Sequence, residues 1–176
     1  VITGGVDYLV CMGTTSEYPT LTHQEILASL DFVTDVTANR VPIVLGIGGN
    51  DTRSLVDSIK KTDFANVSAI LSVCPYYNKP TQKGIYAHYK AVAEASPVPV
   101  ILYNVPGRTG VNMSAETTLQ LANDFSNIIG IKEASGNMMQ CMDILAYKPQ
   151  NFTVVSGEDA LVMPLMSLGM QGVISV

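Results

Sequence analysis

Lys132 ends the apolar run Ile128-Ile-Gly-Ile-Lys132, and lysine is rare inside a buried parallel strand. Desolvation there lowers the pKa of an ammonium, and the freed amine can attack a carbonyl and form a Schiff base. The competing reading is a strand-end lysine that reaches back to solvent or pairs with Glu133. Tyr103 closes another such run, Val98-Pro-Val-Ile-Leu-Tyr103. Its phenol could move protons beside an imine, or simply sit in the core with a satisfied hydroxyl. Gly13-Thr-Thr-Ser16 places two adjacent hydroxyls, Thr14 and Thr15, after the first apolar run, a turn suited to a small carboxylate. Arg108, in Gly107-Arg-Thr-Gly110, could clamp a second carboxylate bidentately or face water. His23 and His88 are the two histidines. Both fall on helix-like stretches without a partner at ligand spacing, so solvated histidines and no metal site are expected.

These side chains can meet only if the elements carrying them share one face. Seven short apolar runs alternate with helix-like stretches: 8–12, 42–46, 68–73, 98–103, 128–132, 152–156 and 172–176. Weak polar alternation within them marks strands covered on both faces. Thr22-His-Gln-Glu25 reads as a capping box. Asn50-Asp51 can cap the stretch carrying Leu55, Val56 and Ile59, and Ser114 the one carrying Leu119, Ala122 and Phe125. Strand and helix in strict repetition predict an α/β fold with right-handed crossovers. A doubly wound dinucleotide domain would need a glycine-rich turn after its first strand. Gly46-Ile-Gly-Gly-Asn50 lacks the third glycine and follows the second run. A (β/α)8 TIM barrel missing one unit fits better, with residues after each strand gathered at one mouth. That mouth would collect Thr14, Thr15, Asn50, Tyr76, Tyr77, Tyr103, Arg108, Lys132 and the Ser156–Asp159 turn.

Composition narrows the function classes. The chain has 176 residues, 47% hydrophobic and only 14% charged, with a net charge of -5. Disorder is excluded by the hydrophobicity, and the acidic balance argues against nucleic acid or an anionic membrane surface. The longest charge-free stretch, Ala160–Val176, is broken by Pro164, Gly169 and Gly172, too interrupted for a membrane span. Cys11, Cys74 and Cys141 form no CxxC, which predicts reduced thiols and a cytoplasmic location. No linker divides residues 1–176, so a single domain is expected.

The motifs together carry a resemblance. Gly13-Thr-Thr-Ser-Glu17, Pro75-Tyr-Tyr-Asn-Lys-Pro80, Tyr103-Asn-Val-Pro-Gly-Arg-Thr-Gly110, Gly130-Ile-Lys-Glu-Ala134, Ser156-Gly-Glu-Asp159 and Gly172-Val-Ile-Ser-Val176 resemble the dihydrodipicolinate synthase family, in the family's order and along essentially the whole chain. The resemblance implies a cofactor-free class I aldolase on a TIM barrel that condenses pyruvate with L-aspartate 4-semialdehyde. Lys132 would form the Schiff base, and Tyr103 would shuttle protons relayed through Thr14 and Tyr77. The tyrosine matching Tyr77 reaches into a neighbouring subunit's site, and a homotetramer built as a dimer of dimers is implied. Thr15, the backbone of Ile174 and the vicinity of Gly157 would hold pyruvate, and Arg108 the semialdehyde's carboxylate.

Departures from the family pattern matter too. Ser16 replaces a glycine usual in the first turn, which is tolerable unless that position needs positive φ. Asn50 and Tyr76 match the family's lysine-binding cleft. Ser54 and Ile26 stand where lysine-sensitive members often have an acid and a histidine, so weak lysine inhibition is expected. The rival activities are N-acetylneuraminate lyase or a 2-keto-3-deoxy sugar-acid aldolase, and, from another class, a non-catalytic barrel. A complete barrel needs roughly 250 residues. The expectation is therefore an incomplete one, holding strands 2 to 8 and lacking the first strand and the C-terminal helices.

Overall fold

The computed structural model describes residues 1–175. Seven strands are present among them: β1 (Leu9–Cys11), β2 (Ile43–Gly46), β3 (Ala69–Val73), β4 (Val100–Asn104), β5 (Ile128–Glu133), β6 (Thr153–Ser156) and β7 (Gly172–Val173). Every neighbouring pair is parallel and the strand order is the chain order. A doubly wound sheet reverses its order at a switch point; this one never does. Most strands are a residue or two shorter than the sequence reading, whereas β4 and β5 run one residue further, to Asn104 and Glu133. The last run pairs only over Gly172–Val173, and its end at Val176 lies outside the described residues.

The two faces of the sheet bury different clusters. Side chains alternate across each strand. Val44, Leu71, Tyr103, Val155 and Ile174, from the β2 to β7 side of the wall, meet in one inner cluster. Ile70, Leu102, Ile131 and Val154 turn outward and pack beneath the helices. Burial on both faces accounts for the near-continuous apolar runs. The result is the wall of a (β/α)8 barrel with seven strands.

The helices are α1 (His23–Thr37), α2 (Thr52–Lys61), α3 (Gln82–Ala95), α4 (Pro106–Thr109), α5 (Ala115–Asp124), α6 (Met138–Tyr147) and α7 (Val162–Ser167). Their starts follow local chemistry. Thr22 and Glu25 form the reciprocal capping box of α1. Asp51 caps α2, and Ser114 caps α5. Thr81 and Asn137 cap α3 and α6 in the same way. The buried face of α5 is Thr117, Thr118 and Leu121, rotated from the stripe read in the sequence.

His88 corrects the expectation of a solvated histidine. It is 3% exposed, lying on α3 in the stripe Ile85, His88, Tyr89 and Val92 that faces the core. Its Nδ1 shares a 2.8 Å hydrogen bond with Thr52 Oγ1 on α2. Its ring meets Tyr89 edge-on at 5.2 Å. Burial pushes its pKa down to about 4. All three cysteines are free and buried, and burial drives the Cys74 thiol up to about 12.

Candidate active site

The C-terminal ends of the strands surround a cavity of about 500 Å³. Lys132 enters it from β5 and Tyr103 from β4, side by side because the two residues are register partners. The Lys132 ammonium nitrogen lies 4.6 Å from the centre of the Tyr103 ring. Lys132 is only 7% exposed. Burial lowers its pKa; Asp159 opposes the shift and Arg108 adds to it. Glu133 does not pair with Lys132. The next residue along a strand faces the other way, and the Glu133 carboxylate binds Asn104 and Gln140 behind the sheet.

Gly157 makes the lysine's path possible. A Cβ at that position would stand 2.7 Å from Lys132 Cε and 2.7 Å from Ala134 Cβ, closer than packed carbons tolerate. Thr14 and Thr15 form a single 3-10 turn, Thr14–Ser16, at the cavity rim. Positive φ falls on Met12 and Glu17 rather than on Ser16, and the Ser16 hydroxyl donates to the Gly13 carbonyl at 2.6 Å. The serine therefore fits the turn. Arg108 reaches the cavity from the short helix α4. Ile174 lines it after β7, and its backbone N–H donates to the Ser156 carbonyl at 2.9 Å.

Thr14, Thr15, Tyr103, Arg108, Lys132, Gly157 and Ile174 thus share one cavity. Tyr77 does not line it. It is 88% exposed, held at φ 74 and tied by its N–H to the Thr109 carbonyl at 3.3 Å. Its neighbour Tyr76 faces the cavity instead, while Asn50 does not. Glu158, from the Ser156–Asp159 turn expected at the mouth, lines the cavity; the sequence reading missed Tyr18 and Ser175, which also line it. It also missed the role of Gly46-Ile-Gly48, rejected above as a nucleotide turn. A side chain at Gly46 would collide with the Met12 carbonyl, so this segment is a wall packed against β1. Only close backbone approach could have signalled it. Among the described residues no group of acidic, histidine or cysteine side chains could hold a metal ion.

A parallel barrel wall with a desolvated lysine beside a tyrosine at its strand ends defines the class: a (β/α)8 protein with its site at the C-terminal mouth. Comparison places it further. The chain belongs to the dihydrodipicolinate synthetase family, whose model matches residues 1–176. It is 57% identical over 175 residues to 4-hydroxy-tetrahydrodipicolinate synthase of Parabacteroides distasonis, covering 99% of this chain and 59% of that one. The enzyme of the same name from Flavobacterium psychrophilum is 56% identical, with 100% and 60% covered. Among solved structures, dihydrodipicolinate synthase from Aquifex aeolicus superposes with a TM-score of 0.94 at 40% identity, covering 99% of this chain and 60% of that one. The Thermotoga maritima enzyme gives 0.95 at 37%, with 99% and 60% covered. The chain therefore spans about three fifths of the length of these relatives, and the fold is that of an incomplete (β/α)8 barrel.

Proposed function

We propose that the chain carries the catalytic core of a lyase that condenses pyruvate with L-aspartate 4-semialdehyde to 4-hydroxy-tetrahydrodipicolinate, with residues 1–176 acting as one domain. The observation that carries this reading is the buried Lys132 amine over the Tyr103 ring inside a single cavity. The amine attacks the pyruvate ketone, water leaves, and the imine loses a methyl proton to become an enamine. Its nucleophilic carbon forms the new C–C bond with the semialdehyde's carbonyl carbon. The substrate's amine then displaces Lys132 and closes the ring. No external electron donor enters at any step.

Tyr103 carries protons to and from these centres. Thr15, Gly157 and the Ile174 backbone hold pyruvate, and Arg108 receives the semialdehyde's carboxylate. Thr14 continues the proton path to a tyrosine of a neighbouring copy, since Tyr77 of this chain does not line the cavity. Tyr77, turned outward at the rim, supplies that tyrosine to a second copy of the chain in a dimer of dimers. One solved relative is a monomeric dihydrodipicolinate synthase variant, so assembly is a property to measure. No described helix is long and apolar enough to cross a membrane, and we place the enzyme in the cytoplasm. The Ser54 hydroxyl, engaged with Asp51 in the first turn of α2, offers a lysine effector no charge, which favours weak inhibition.

The test uses the protein as its organism makes it. Pyruvate with borohydride should leave a covalent adduct on Lys132, seen by peptide mass, and Lys132→Ala should abolish it. An adduct that survives that substitution refutes the Schiff base. Turnover of sialic acid in place of aspartate semialdehyde would instead assign a sugar-acid lyase.

A further inference from the structure

Behind the cavity lies a buried polar network that the proposed chemistry does not use. Glu133 is 1% exposed and has no cationic partner among the described residues, whose one ion pair is Lys90–Glu94. Its Oε1 accepts from the Ser135 N–H at 2.7 Å and from Asn104 Nδ2 at 3.2 Å. Its Oε2 accepts from Asn104 Nδ2 at 3.0 Å and from Gln140 Nε2 at 3.0 Å. A carboxylate buried without a cation is an expensive element if stability alone is served. Both of its oxygens must accept, and no neutral side chain offers that.

Strand register explains what it is for. Tyr103 pairs with Lys132, and the next pair along is Asn104 with Glu133. The first pair faces the cavity; the second locks the same two strands from the opposite face. The lock extends outward. Asn104 Oδ1 accepts from the Met113 N–H at 3.0 Å. Asn112 donates to Gln140 Oε1 at 2.8 Å. The segment so pinned begins directly after β4 and carries Arg108, and its Thr109 carbonyl receives the Tyr77 N–H.

We propose that Glu133 is a positioning residue: with Asn104 and Gln140 it fixes, from behind the sheet, the register that holds Lys132 over Tyr103 and the loop that presents Arg108. The kinetic part of this inference rests on the lyase reading. A glutamine at position 133 would turn an N–H2 toward donors on Asn104 or Gln140. The strand ends would then re-pair, and a displacement on the order of 1 Å costs a reaction about 100-fold.

Glu133→Gln should slow Lys132 trapping by pyruvate and borohydride by roughly 10- to 100-fold and shift the pH dependence of that rate. Circular dichroism and thermal melting should show the fold retained at the assay temperature. The double variant Glu133→Gln with Asn104→Asp moves the carboxylate one strand over and restores a donor–acceptor pair between the two strands, while Asn112, whose Oδ1 now accepts from Asn104 Nδ2 at 2.8 Å, must turn its amide; it should recover part of the rate. Formaldehyde with borohydride labels the same amine without any pyruvate site. A wild-type protein labelled by formaldehyde but not by pyruvate refutes the lyase reading, while the effect of Glu133→Gln on formaldehyde labelling still tests positioning. Unchanged labelling rates and pH profile in Glu133→Gln overturn the proposal. So does a double variant that regains thermal stability without regaining rate.

Discussion

Gly157 shows how one missing atom can shape a site. The Lys132 side chain passes within what would be 2.7 Å of a Cβ there, and Ala134 closes the other side at the same distance. A methyl group can be admitted only if the β6 turn moves away from Ala134 and the lysine stem shifts with it or swings aside. Neither shift threatens the core, because the residue lies at the cavity rim, half-buried. Gly157→Ala should therefore leave the melting temperature within a few degrees and lower the rate of Lys132 trapping by about 10-fold or more. Peptide mass against time after borohydride quenching measures it. An unchanged rate would mean that the lysine reaches its substrate by another path.

At the scale of elements, the contact between α2 and α3 makes the fold acid-sensitive. His88 has a pKa pushed from 6.5 to about 4 by burial, so the unfolded chain takes up a proton in a pH range where the folded chain refuses it. Stability is at its full value above about pH 6.5 and falls as the pH drops toward 4, by at most about 3 kcal/mol. His88→Gln, which can keep the Thr52 contact, should flatten that fall in urea titrations run at pH 7 and pH 4.5. An equal loss in the variant would assign the acid sensitivity elsewhere. His88 also marks a limit of sequence reading. Its spacing to Ile85 and Val92 already put it on the apolar stripe, but a polar residue type outweighed the period. Lys132 was legible for the opposite reason: a charge ending an apolar strand breaks the burial rule. Glu133 was legible only as a possible partner of that lysine. Its true donors, Asn104 and Gln140, come from another strand and a later helix, and no local pattern announces such a meeting. Tyr18 and Ser175 at the cavity were hidden likewise, since loop paths follow packing rather than period.

For the whole molecule, the decisive quantity is open edge. Among the described residues, strands β1 and β7 each have one neighbour, and an edge strand's outer N–H and C=O groups are templates for association with other chains. Apolar side chains add to this. Phe32 and Val36 on α1 are 69% and 53% exposed, and Met163 on α7 is 76% exposed. The solved relatives are longer, with this chain spanning 60% of the Aquifex aeolicus protein, and a closed barrel removes its edges altogether. A polypeptide of these 176 residues expressed by itself should therefore elute as aggregates on size exclusion with light scattering and fail to trap pyruvate at Lys132. The inner cluster joins residues of β2, β3, β4 and β6 with Ile174 after β7, so its packing depends on how the wall curls. With the curl relaxed, Lys132 and Tyr103 would keep their register but lose the walls that desolvate the amine. A monodisperse monomer that forms the pyruvate adduct at the rate of the protein made in its organism would show instead that seven strands suffice to hold the cavity.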